Sequence, residues 1–119
     1  MKENKLVDLS LDFSVEIIRL VKDLKAQKEN IISNQIGRSG TSIGANIHEA
    51  QYAHGKADFA AKLQIALKEA NETGYWINLL KRTQYIDDAT YEKIDGLCRQ
   101  LRIMFIASIK TVKSNALHA

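Results

Sequence analysis

His48, His54, His118, the single cysteine Cys98 and the pair Glu69 and Glu72 are the residues here with the chemistry for metal binding or nucleophilic catalysis. Their spacing argues against both. A di-metal centre inside a helical bundle needs inward carboxylates together with Glu-x-x-His pairs. Three residues before His48, His54 and His118 stand Ala45, Gln51 and Asn115, so no such pair exists. Glu69 and Glu72 share a helix face without a histidine to join them, and neither metal nor cofactor is predicted. A nucleophile needs a base within hydrogen-bonding reach. Ser39, Ser42, His48 and His54 do not supply that pairing, because His48 lies roughly opposite Ser42 on a helical wheel. Gly37 to Gly44 lacks the G-x-x-x-x-G-K-[ST] pattern, and no strand precedes it to form a phosphate cradle. Cys98 keeps helical spacing with Ile94, Leu101 and Phe105 and reads as a small core hydrophobe. No catalytic residue is assigned, and the chain is read as a protein other than an enzyme.

The patterned polar residues lie elsewhere. At about 100° per residue, Arg38, Ser42, Asn46 and Glu49 run along one flank of the apolar stripe Ile32, Ile36, Ile43, Ile47 and Ala50. Gly37, Gly40 and Gly44 run along the other, each at a cost of roughly 1 kcal/mol against Ala in a helix interior. A helix carrying that composition is expected to be approached closely on more than its core face. Arg38 and Glu49 are too far apart along one straight helix to pair. Glu72, from a later helix, is the predicted partner of Arg38. Arg38, Ser42, Asn46, Glu49 and Glu72 thus form a predicted structural polar network, interfacial or buried, of the kind that sets geometry more reliably than it adds stability.

The elements that must position these residues are helices. The 119 residues include no proline, and 45% hydrophobic with 26% charged residues is an ordinary globular composition, enough for one domain spanning 1–119. Apolar residues recur with three-four spacing and never alternate over a strand's length, which predicts an all-α fold. Helices are expected over about 9–27, 31–53, 56–84 and 88–114, with Asp8 or Ser10 capping the first, Gly55 stopping the second and Asp87 capping the fourth. Asn115 to Ala119 is expected to fray. Four such helices joined by short connections specify an antiparallel up-down-up-down bundle. No apolar run is long enough to span a bilayer and no signal-type apolar core follows the N-terminus, so a cytoplasmic location and no membrane partner are expected.

Arg38, Ser42-Ile43, Asn46-Ile47 and Glu49 resemble the R-x-x-x-S-I-P-x-N-I-A-E-G signature of the 23S rRNA intervening-sequence (S23-type) four-helix bundle proteins. Gly44 stands where many members have proline, and Ala50 where many have glycine. Asp58-Phe59, Leu63, Ile65-Ala66-Leu67, Glu72, Tyr85-Ile86 and Tyr91 also fall where the family has similar residues, so the resemblance runs from about Leu9 to Val112. It implies a four-helix bundle assembled as a cyclic homopentamer. The accessory variability determinant of diversity-generating retroelements is similar in both respects.

Apolar residues outside the core stripes point the same way. Helix three carries Ile65, Trp76 and Leu79, helix four carries Ile103 and Ile106, and helix one carries Val15 and Ile18; the helix-three and helix-four residues are the predicted oligomer interface. Net charge is +3, too mild in one protomer to demand an anionic partner. Arg19, Lys22 and Lys25 on helix one and Arg99, Arg102, Lys110 and Lys113 on helix four are the candidate nucleic-acid contacts, with Lys2, Lys5, Lys28, Lys56, Lys62, Lys81 and Arg82 nearby. Glu3, Asp12, Glu16, Asp23 and Glu29 are expected to balance them on a solvated face. A ring multiplies each patch, so the expected function is sequence-nonspecific binding of RNA or DNA by a non-enzymatic homo-oligomer. The alternative is a scaffold that docks a protein partner through its exposed apolar faces.

Overall fold

A computed structural model describes residues 4–118, with side chains for 4–114. Lys2, Glu3 and Ala119 lie outside the described residues. Helices α1 (Lys5–Ala26), α2 (Ile31–Ala50), α3 (Lys56–Arg82) and α4 (Asp88–His118) account for nearly all of them, and no strand occurs among the described residues.

Local hydrogen bonding explains where each helix starts and stops. Asn4 Oδ1 accepts from the Val7 N–H at 3.2 Å, so α1 begins at Lys5 rather than near residue 9. Neither Asp8 nor Ser10 is its cap, and the earlier start brings Leu6 into the core. Helix α1 ends with Lys28 at φ 66° and Glu29 N–H on the Leu24 carbonyl at 2.9 Å, a closure that satisfies a last-turn carbonyl. Glu29 then turns back over α2. Its carboxylate accepts from the N–H groups of Ile31, Ile32 and Ser33 at 3.2, 3.1 and 2.8 Å, while Ser33 Oγ donates to its carbonyl. Expected on a solvated face, Glu29 is instead buried, because it does the capping that the Asn30 side chain does not.

Helix α2 ends at Ala50 rather than 53. The N–H groups of Gln51, Tyr52 and Ala53 bond to carbonyls three residues back, the tighter winding common at helix ends. Gly55 at φ +140° then starts α3, a conformation that L side chains rarely adopt. Helix α3 ends at Arg82 with Gln84 at φ 66° and Tyr85 N–H on the Leu80 carbonyl. Asp87 Oδ1 accepts from Thr90 N–H at 2.8 Å and so caps α4. The backbone of α4 stays helical to His118, beyond the expected end near Ser114.

Each helix packs on the next, and α1 closes the bundle on α4. Pairings run in opposite directions along neighbours: Val21, Ile17 and Ser14 of α1 meet Gly37, Gly40 and Gly44 of α2, and Ala70 and Asn78 of α3 meet Cys98 and Tyr91 of α4. The core holds Phe13, Ile17, Leu24, Ile36, Ile43, Ile47, Leu63, Ile77, Leu80, Leu101 and Phe105, all fully buried. Ile109 takes the last buried turn of α4, while Ser108 and Val112, expected there, are half-buried. A Cβ on Gly40 would lie 2.9 Å from Ile17 Cγ1, and one on Gly44 would lie 2.9 Å from Ser14 Oγ. The glycine flank of α2 is therefore where α1 makes its close approach.

Candidate interaction surface

Arg38 reaches across from α2 to α3, where its guanidinium contacts Glu72 Oε2 and lies 3.4 Å from Glu69 Oε1. The same Glu72 oxygen accepts from Trp76 Nε1 at 3.0 Å. Those bonds to the charged form, the indole's first and the guanidinium's second, hold the Glu72 carboxyl below its ordinary range, and Glu72 in turn raises Arg38. Trp76 meets Tyr75 edge to face, with ring centroids 4.9 Å apart at 74°. A buried bond lies just inside this group. Thr73 Oγ1 donates to the Glu69 carbonyl at 2.8 Å and meets Ser39 Oγ at 2.8 Å, tying α2 to α3.

The rest of the predicted network does not assemble. Asn46 Nδ2 donates to the Ser42 backbone carbonyl at 2.9 Å, so both residues stay within α2, and Glu49 is exposed with no ion pair to the described residues. Nor is the pair buried, since the Arg38 side chain is 50% exposed. It orders a surface rather than sealing an interior.

Exposed basic residues occur on the outer faces of both α3 and α4. Arg102 lies across α3 with Nη1 over Gly74, where an added Cβ would come within 2.7 Å, and 3.8 Å from Cys98 Sγ. At helical spacing from Arg102, the exposed residues Arg99, Ile106, Lys110 and Lys113 share its outward side. On α3, Lys68, Tyr75 and Arg82 repeat at seven-residue spacing and are all exposed, so they share the outer face of that helix. Asp95 is consumed by Arg99 at 2.9 Å, and Lys68, Arg82, Lys110 and Lys113 make no salt bridge to the described residues. Lys68 and Tyr75 are absent from the sequence-predicted set; the signal that finds them is their seven-residue register with Arg82. The α1 candidates belong to a different side of the bundle. Arg19 pairs with Glu16 at 3.2 Å and Lys25 Nζ donates to Asn34 Oδ1 at 2.7 Å, which leaves Lys22 exposed.

Among the expected interface residues, Ile65, Ile103 and Ile106 are exposed, at 43%, 67% and 43%. Trp76 and Leu79 are half-buried against their own core, because α3 turns a wider side inward than its central stripe indicates. Helix α1 adds Leu11 to Val15 and Ile18. Cys98 is inert by placement: burial pushes its thiol up to about 11 against the partial opposition of Arg102. No cluster of His, Cys, Asp and Glu suited to a metal occurs among the described residues.

The sequence of residues 2–107 matches the family described as 23S rRNA-intervening sequence protein. This chain belongs to that family. The fold is similar to the crystal structure of a protein of unknown function from the S23 ribosomal protein family of Bacteroides thetaiotaomicron VPI-5482, with a TM-score of 0.86 and 53% identity over 88% of this chain and 98% of that one. No curated protein matches. In this 23S rRNA-intervening sequence protein, Arg38 ties α2 to α3, while Ser42 and Asn46 bond only within α2. No described helix of this family member is long and apolar enough to cross a membrane.

Proposed function

We propose that this protein is a non-enzymatic, cytoplasmic homo-oligomer that binds RNA or DNA through the phosphate backbone, without reading sequence. The observation that carries the proposal is the set of exposed cations on the outer faces of α3 and α4, where Lys68, Arg82, Lys110 and Lys113 make no salt bridge to the described residues and the buried Asp95 is already neutralised by Arg99. Backbone binding needs concentrated, unpaired cations rather than a motif. Assembly strengthens it. Apolar side chains outside the core on α1, α3 and α4 suit the heterologous contacts of a ring, and the family resemblance favours a cyclic homopentamer. Repeating the basic side around a ring turns a modest charge into a multivalent one.

Electrophoretic shift with a short unstructured RNA tests this reading. The triple variant Lys68→Glu, Lys110→Glu, Lys113→Glu should lose binding, while Arg19→Glu with Lys22→Glu on α1 should retain most of it. Equal loss in both would remove the α3–α4 assignment, and no binding by the unmodified protein would remove the function.

A protein scaffold is the second reading, favoured by Tyr75, Trp76 and Arg38, residue types enriched where partners dock. Under it, a single cellular protein should be captured from lysate equally well after nuclease treatment and at high salt.

A further inference from the structure

Tyr75 is 60% exposed on a helix surface, yet its ring is not free to wander. Trp76 packs edge-on against it, Glu72 holds the Trp76 indole N–H, and Arg38 holds Glu72 from the neighbouring helix. Each link lies on a regular helix and removes freedom from the next, so a flat aromatic face is presented at little further entropic cost. Beside it lies an open hollow of about 430 Å³ lined by Tyr75, Asn78, Leu79 and Arg82. The hollow combines an aromatic wall, an apolar floor from Leu79 and a cation at one end. The Asn78 amide is already engaged, donating to the Gly74 carbonyl at 3.1 Å and accepting from Tyr91 O–H at 3.1 Å. It leaves little directional hydrogen-bonding capacity for telling one base from another.

We infer that Tyr75 is a base-stacking platform, and that the outer face of α3 takes single-stranded nucleic acid in preference to duplex. The inference rests on the phosphate-binding reading above and adds the form of the ligand to it. Cations alone do not distinguish the two forms, because both present phosphates. An aromatic face does distinguish them: bases in a duplex are already stacked on each other, whereas a single strand offers a free π-face of any sequence. Arg82, which lines the hollow, provides charge complementary to the phosphates flanking a stacked base. Arg38 and Glu72 act as positioning residues for the platform and do not touch the strand.

The test is fluorescence anisotropy with labelled oligouridylate, an abasic strand of equal length and charge, and a duplex RNA. Tyr75→Ala should weaken oligouridylate binding by about fivefold to a hundredfold, the range measured for one base–aromatic stack. Binding of the abasic strand and of the duplex should be unchanged, and so should the salt dependence for oligouridylate, since no charge is removed. Tyr75→Phe should bind like the unmodified protein. Oligouridylate and abasic strand bound equally tightly, or Tyr75→Ala binding oligouridylate without loss, would overturn the stacking inference while leaving backbone binding intact. If none of the strands binds the unmodified protein even at low salt, both fail together.

Discussion

The Glu72 carboxylate is the hinge of the α2–α3 surface, because it alone is bonded to both the Trp76 indole and the Arg38 guanidinium. Those bonds lower its pKa from the ordinary 4.5. A carboxyl with a lowered folded value contributes stability that is full above 4.5 and is lost as pH falls through the folded value. Trp76 is the only tryptophan in the chain, so its emission reports the event directly. It should be constant from neutral pH down to the ordinary carboxyl range and change only below it; Arg38→Ala should move that change upward. An emission that titrates near neutrality would contradict the assignment. Glu29 supplies a second test. Its carboxylate caps three N–H groups, so Glu29→Ala should destabilise the fold by about 1–2 kcal/mol in denaturant unfolding. The partnership of Arg38 with Glu72 is legible from sequence because two charges beside apolar stripes on facing helices compensate each other. The role of Glu29 is not, because a charged residue inside Lys25-Ala-Gln-Lys-Glu-Asn30 looks like any solvated loop residue until the chain reversal folds it over α2.

Among the elements, the glycines separate packing from propensity. Gly40 sits against the fully buried, β-branched Ile17, so Gly40→Ala sets a gain of about 1 kcal/mol in helix propensity against an overpacking penalty of about 1–3 kcal/mol. A net loss of stability is expected. Gly96, inside α4 and exposed, has nothing within 4 Å of a built Cβ, so Gly96→Ala should stabilise by about 0.5–1 kcal/mol. Parallel urea melts would show the opposite signs, and equal signs would contradict the close α1–α2 approach. Four helices are readable from three-four periodicity alone, and Gly55 and Asp87 mark their boundaries by chemistry. The ends at Lys28 and Gln84 are less readable, since each takes a left-handed conformation without glycine, held by backbone bonds that include the six-residue closures onto Leu24 and Leu80. The start of α1 at Lys5 rests on Asn4, whose side chain accepts from Val7 N–H and whose carbonyl accepts from Asp8 N–H.

At the scale of the whole molecule, the bundle presents two kinds of surface. Exposed Ile103 lies outside the core stripe, so under the proposed assembly Ile103→Glu should leave the helical circular dichroism intact while lowering the mass seen in light scattering to that of a monomer. A unit that keeps its mass would remove α4 from the interface. The basic outer faces of α3 and α4 are only half legible in sequence: Arg99, Arg102, Lys110, Lys113 and Arg82 follow from composition, but Lys68 and Tyr75 join Arg82 only through the seven-residue repeat they share on the exposed face of α3. Helix α1's basic residues share the same composition and fall on another side. Salt dependence tests most directly whether the α3 and α4 faces grip phosphates. The logarithm of affinity for a short single-stranded RNA should fall linearly with the logarithm of salt concentration, and the slope should become shallower in Lys110→Gln with Lys113→Gln because fewer counterions are released. An affinity that does not change with salt, or a slope that those substitutions leave untouched, would contradict the account.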